Sequence, residues 1–180
     1  LTGSNVAVTE NAAMDLGAST IGGTANFNST SNVITDSGTL AITGATTINA
    51  GTADITLDQA ASTFGALALT GANVAVTENA ATDLAASTVS GTLGVTSTGA
   101  VTDSGTLAIT GGTTISASGQ DITLDEAAST FGTLALTGAN VAVTENAATD
   151  LGASTVSGTF GITSGGAITD SGTQTITGAA

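Results

Sequence analysis

Leu69-Thr-Gly-Ala-Asn-Val-Ala-Val-Thr-Glu-Asn-Ala-Ala-Thr-Asp-Leu84 returns unchanged at Leu136 to Leu151 and nearly unchanged at Leu1 to Leu16. Fixed landmarks give the period. Thr-Asp-Ser-Gly starts at Thr35, Thr102 and Thr169, and Asp-Ile-Thr-Leu-Asp starts at Asp54 and Asp121, a constant step of about 67 residues. Self-similarity at a fixed period is the sequence signature of a solenoid, in which each unit buries its apolar face only against its neighbours. The step from the first Leu-Thr-Gly, at Leu1, to the second, at Leu69, is one position longer than from Leu69 to Leu136. One residue is therefore inserted between Ile21 and Val33, where Gly22-Gly23-Thr24-Ala25-Asn26-Phe27 replaces Ser90-Gly91-Thr92-Leu93-Gly94-Val95. The 180 residues read as one continuous segment of a longer repeat protein, with units at about 1–23 (partial), 24–90, 91–157 and 158–180 (partial).

Within each unit the period is two. Aliphatic pairs recur at i and i+2, as in Val74/Val76, Leu107/Ile109, Ile122/Leu124 and Val141/Val143, separated by Gly, Asn, Asp and Ser clusters. Such pairs share one face of a strand but fall on nearly opposite sides of a helix. Helix remains a rival over Glu78–Leu84 and Asp125–Ser129, which are rich in Ala and acid but span under two turns. A third of the period is about 22 residues, one coil of a three-sided parallel β-helix, and about eight such coils fit the chain. The spacing predicts three aliphatic columns: Leu93, Ile115, Leu136 and Phe160; Val101, Ile122, Val143 and Ile168; Ile109, Phe131, Val156 and Ile176. The absence of Pro fits a chain in which every coil is paired above and below. Asn5, Asn73 and Asn140, and likewise Asn11, Asn79 and Asn146, are expected at corners, where Asn bonds to nearby backbone.

Composition narrows the function. Fourteen acidic residues and no Lys, Arg or His give a net charge of −14, which repels phosphate backbones and anionic lipid surfaces. Nucleic acid is not an expected partner, and no apolar run approaches the ~20 residues of a membrane span. Without Cys, stability rests on packing and hydrogen bonds.

The segments Gly91-Thr-Leu-Gly-Val-Thr-Ser-Thr-Gly-Ala-Val-Thr-Asp-Ser-Gly-Thr-Leu-Ala-Ile-Thr-Gly111, Thr113-Thr-Ile115 and Asp121-Ile-Thr-Leu-Asp125 resemble the repeats of large secreted bacterial exoproteins of the filamentous haemagglutinin type. That resemblance covers essentially the whole chain. It implies an all-β, right-handed parallel β-helix shaft in an adhesin that is released or held at the bacterial cell surface, reached by two-partner secretion. The expected function is a structural repeat shaft, and the expected partners are a host or neighbouring-cell surface and the chain itself, by end-to-end or lateral association. The alternatives are a fibre subunit stacking end to end and a Ca²⁺-binding acidic solenoid.

Catalysis is not expected. Asp121, Asp125 and Glu126 suggest an acid and base pair, but no His or Lys base and no Arg accompany them, and the Asp pair recurs at Asp54 and Asp58 in register with the repeat. The Ca²⁺ reading rests on Asp36, Asp103 and Asp170 in Thr-Asp-Ser-Gly, on Asp121, Asp125 and Glu126, and on the rows Glu10/Glu78/Glu145 and Asp15/Asp83/Asp150, all hard oxygen donors with no competing cation. Against it, the chain has neither the EF-hand loop nor the Gly-Gly-x-Gly-x-Asp nonapeptide. Identical acids a unit apart would also lie about 14 Å from one another, where salt screens them. Solvated corner carboxylates that keep an apolar rod soluble are the simpler reading. Thr46-Thr47 and Thr113-Thr114 raise ice binding, although no Thr-x-Thr row repeats on each coil, and Asn28-Ser29-Thr30 is a glycosylation tripeptide of a kind common by chance.

Overall fold

The computed structural model describes residues 1–178 as a parallel β-solenoid, with twenty-five short strands and no helix among them. Ala179 and Ala180, at the end of the last partial unit, lie outside the described residues. In most strands buried residues alternate with exposed or half-buried ones, so the i and i+2 side chains point inward as the pattern requires. Ile21, Phe27, Ile34, Leu40, Ile48, Leu67 and Leu107 are among the fully buried side chains of one continuous core. At Glu78–Leu84 and Asp125–Ser129 the chain makes turns and a strand, because Asn79 and Ser129 are already hydrogen-bonded into neighbouring coils.

There are nine coils rather than eight, because the coils are of uneven length. In-register partners are closest in sequence at Leu67 and Leu84 and farthest apart at Ala41 and Thr63. Three sheets form the walls. Following one wall coil by coil, Val74 pairs with Leu93, Leu93 with Thr113, and Thr113 with Leu134. Val141, the copy of Val74, pairs instead with Ile122 and Phe160 on a different stack. The reason is the number of wall segments in a repeat. From Ser19–Ile21 to its copy Ser87–Val89 the chain makes nine strands and one isolated bridge at Thr63, and the next repeat, with its bridge at Thr130, does the same. Ten segments at three per coil are three coils and one face, so each copy falls on a different wall from the last. Because two walls run the whole length, the copies of their strands alternate: Val6–Thr9 and Val141–Glu145 lie in one, Val74–Glu78 in the other.

The turning is accomplished in one place. The wall built from Thr2–Gly3, Ser19–Ile21 and Leu40–Ile42 ends at the Thr63 bridge. In the same coil the strand Leu67–Gly71 forks, its start pairing with Thr82–Leu84 and its end with Ser87–Val89. The second repeat does this again: a wall ends at Thr130, and Thr133–Gly138 forks onto Thr149–Leu151 and Ser154–Val156. The expected columns are corrected accordingly. Ile115 over Leu136, Val101 over Ile122, and Val156 over Ile176 are true neighbours. However, Val95 rather than Leu93 lies against Ile115, Phe160 lies on Val141, Val143 sits one pleat along from Ile122, and Ile168 lies on Thr149.

Corners are tight enough to dictate residue type. A Cβ on Gly65 would lie 2.4 Å from the Gly44 carbonyl oxygen, and one on Gly132 would lie 2.2 Å from that of Gly111. These glycines stack because no side chain fits between successive backbones. The inserted residue is also located. Gly22–Phe27 and Ser90–Val95 correspond one to one, and the extra residue falls in the turn Ser29–Val33, where later copies read Ser97-Thr98-Gly99-Ala100. There Thr30 and Ser31 adopt φ of 50° and 67°, held by hydrogen bonds from the Asn32 amide to the Ser29 and Thr30 carbonyls. A β-branched residue in the left-handed region is strained by about 1 kcal/mol or more. Thr30→Gly should therefore raise stability by about 1 kcal/mol in urea unfolding.

Candidate functional site

The handover between walls is where this repeat departs from a plain stack of aliphatic coils. A wall that ends, or a strand that forks, leaves backbone N–H groups with no strand beside them, and a buried unpaired N–H is costly. Three side chains per repeat take their place. Ser62, fully buried, accepts the Leu40 N–H at 3.0 Å, and Ser129 accepts that of Leu107 at 3.0 Å. Glu78 accepts the Phe64 N–H through Oε1 at 2.7 Å, and Glu145 accepts that of Phe131 at 2.7 Å. In the gap of the fork, Ser87 accepts the Leu69 N–H at 3.0 Å and Ser154 that of Leu136 at 3.1 Å. Phe64 and Phe131 fill the core just where the wall stops. Sequence reasoning places Glu78 and Glu145 in a solvated row and passes over the serines. The recurring Ala-Ser-Thr and Thr-Glu-Asn triplets are their only signal, and these look like ordinary turn vocabulary.

The carboxylates considered as Ca²⁺ ligands divide by what they hold. Asp36 and Asp103 are only 7% and 8% exposed. Their Oδ1 atoms accept the Asp58 and Asp125 N–H groups at 2.8 Å, and the Glu126 N–H reaches Asp103 Oδ2 at 3.4 Å. Burial pushes both carboxyls above the usual carboxylate range, against the opposing pull of those backbone N–H groups. Asp121 sits at a corner, accepting from the Asn140 backbone and amide at 3.0 and 2.9 Å, as Asp54 does from Asn73. Asp125 and Glu126 thus meet Asp103 through their backbone N–H groups, and Asp170 is exposed on the last coil. Glu10 and Asp15 are exposed on the first coil, while Asp83 and Asp150 accept the Ser104 and Ser171 hydroxyls at 2.9 and 2.8 Å. Among the described residues, no three acidic side chains come together in an arrangement that could hold a metal ion. The acid rows that recur once per repeat do not form ladders, because each copy stands on a different wall from the last.

Of the two expected rows of Asn corners, Asn11, Asn79 and Asn146 lie at bends, and the other row bonds across its corner. Asn5, Asn73 and Asn140 each accept the N–H and hydroxyl of a Thr in the next coil, Thr24, Thr92 and Thr159, at 2.8 to 3.1 Å. One outward column of hydroxyls does run coil by coil, through Thr77, Thr96, Ser116, Thr137, Thr155 and Thr175. The spacing of the sequence hides it because the coils differ in length. It stays a single column, since the adjoining outward positions Ala75, Gly94, Thr114 and Ala135 carry a hydroxyl at Thr114 alone.

The fork serine can be tested directly. Ser154→Ala leaves the Leu136 N–H buried without an acceptor and should lower stability by about 1–3 kcal/mol in urea unfolding. Ser157→Ala, at an exposed position, should change it by less than about 0.5 kcal/mol.

Comparison with known proteins bears on the repeat itself. No curated protein and no solved structure matches the chain. A family model described as "Repeats of unknown function (DUF5649)" matches residues 3–70, 71–137 and 138–180, that is, three successive copies covering nearly the whole chain. Each full copy contains one wall ending and one fork, as at Thr63 with Leu67–Gly71 and at Thr130 with Thr133–Gly138. This β-solenoid therefore belongs to the DUF5649 repeat family.

Proposed function

We propose that the chain is a non-catalytic length element: a stiff, acidic shaft of a secreted bacterial cell-surface or filament protein, which holds another part of that protein at a distance. The observation that carries this reading is what the recurring polar side chains do. Asp36, Asp54, Glu78, Ser87 and Asn73 are all engaged in closing backbone hydrogen bonds between coils. A binding or catalytic centre needs convergent, accessible polar groups, and here these side chains are each committed to a separate point in the walls. The outer surface suits the same role, since carboxylates with no opposing cation keep a rod hydrated and discourage copies from adhering. The extracellular setting rests on the likeness to haemagglutinin-type exoproteins. A chain with no Lys or Arg also offers trypsin-like proteases nothing to cut.

Small-angle scattering on the chain and on forms carrying one or two extra repeats tests the role. At about 4.8 Å per coil, the long axis should start near 43 Å and grow by roughly 16 Å per repeat, with constant cross-section and monomeric mass. A mass that rises with concentration, accompanied by filaments in negative stain, would favour the end-to-end fibre reading instead. Calorimetric titration with Ca²⁺ should give no heat and no change in melting temperature. A saturating heat with a melting increase would replace the passive shaft with a metal-dependent one.

A further inference from the structure

The two complete handovers differ at one contact. Glu145, 2% exposed, has both oxygens engaged: Oε1 by the Phe131 N–H, and Oε2 by the Thr149 hydroxyl at 2.8 Å. Glu78, 1% exposed, stands in the same sequence and receives the same bond at Oε1 from Phe64. Its Oε2, however, has no hydrogen-bond partner, and neither does the Oγ1 of Thr82, the residue equivalent to Thr149. Both atoms are buried, and the Thr82 hydroxyl is near enough to act on the carboxyl without meeting hydrogen-bond geometry.

We propose that Glu78 and Thr82 form a proton-operated latch at the first full handover, open when the carboxylate is ionised and closed when it takes up a proton under mildly acidic conditions. On protonation one oxygen keeps the Phe64 N–H, while the other becomes a hydroxyl that donates to Thr82 Oγ1. Two unpartnered buried atoms are thereby paired, and a buried charge is removed. The Glu145–Thr149 bond, in which the Thr hydroxyl donates, shows that the two side chains can come within hydrogen-bond distance at this site.

Nothing around Glu78 offers an alternative. The chain holds no Lys, Arg or His. On the adjoining strand Leu93–Ser97, the residue paired with Glu78 is Ser97, and that strand carries no ionisable group. The strand Ile55–Leu57 on the other side is flanked by Asp54, which is occupied by Asn73, and by Asp58. Asp83, next to Thr82, has its Oδ2 on the Ser104 hydroxyl. The remaining acids nearby are carboxylates too, so none of these groups can compensate the Glu78 charge. Burial accordingly pushes the Glu78 carboxyl above its ordinary range, outweighing the Phe64 N–H and the Thr82 hydroxyl, which pull it down. A group raised in the folded state contributes stability that is fully present below its unfolded value and lost as pH rises through the folded one. The latch therefore strengthens the solenoid on acidification, and it does so whatever the shaft carries.

The test is thermal unfolding from about pH 8 down to about pH 5, still above the ordinary glutamate value of about 4.3. Asp36 and Asp103 are raised as well and contribute their own slope, so the quantity to read is the difference between variants. Glu78→Gln presents the closed latch permanently, with a neutral amide that still accepts from Phe64. It should melt roughly 2–4 °C above the unaltered chain at about pH 8, and the gap should close toward pH 5. Glu145→Gln, made where the second oxygen is already satisfied, should show no such gain. Thr82→Val should flatten the rise on acidification. A Glu78→Gln difference that is constant with pH, or a loss at pH 8, overturns the proposal. Should the variant fail to fold, the side-chain carboxyl ¹³C shift of Glu78 in the unaltered protein decides: a midpoint above the ordinary glutamate value supports the latch, and one at or below it overturns it.

Discussion

Every coil of a parallel solenoid must hand its backbone N–H and C=O groups to the coils above and below, and the whole of this structure follows from meeting that demand with a repeat that does not close on itself. Ten wall segments cannot be divided among three walls without remainder. One wall must therefore end and another divide in every repeat. A fixed cast of side chains, represented by Ser62, Glu78 and Ser87, makes up the missing hydrogen bonds. Each such bond adds about 1 kcal/mol net, but leaving its buried partner empty would cost about 1–3 kcal/mol, which explains why the same residues reappear at Ser129, Glu145 and Ser154.

Much of the fold can be read from the sequence because two periods are written in it separately. The strand period shows in pairs such as Val74/Val76, and the architecture in the exact recurrence of Leu69–Leu84. The phase between them is not written. Assigning columns by spacing requires coils of even length, whereas the chain from Leu67 to its partner Leu84 is shorter than the chain from Ala41 to Thr63. Corner length is set by how turns such as Asp58–Ser62 pack rather than by hydrophobic pattern, so spacing puts Leu93 where Val95 stands. The polar residues are harder still. Glu78 and Asp83 are equally acidic and close together in the chain, yet one closes the core and the other takes a surface hydroxyl. Only the position of the ended wall tells them apart.

The lack of any basic residue gives these buried carboxyls an unusual standing. In most proteins a buried acid finds an Arg or Lys, and its charge is retained. Here Asp36, Asp103, Glu78 and Glu145 have only N–H and O–H donors to draw on. Two charge terms then act in the same direction. Surface carboxylates repel one another when ionised, and the raised buried acids are destabilising when ionised. Both are relieved by protons.

The alternation of successive repeats between walls also bears on what such a chain can present to the outside. A side chain that occurs once per repeat reappears roughly 16 Å along the axis on a different wall, so Asp36 and Asp103 face different directions although their neighbours in sequence are the same. The second copy returns to the original side, as Asp170 shares the wall of Asp36. Whatever a repeat carries therefore alternates between walls instead of standing over its immediate copy. Residues that do line up, such as Thr77, Thr96, Ser116 and Thr137, come from unrelated positions in the repeat, and a change in one copy has no counterpart on its neighbours. A family that copies its repeat faithfully in this geometry spreads like charges over more than one wall and adds reach with each copy, so identical side chains on one wall stand two repeats, roughly 32 Å, apart.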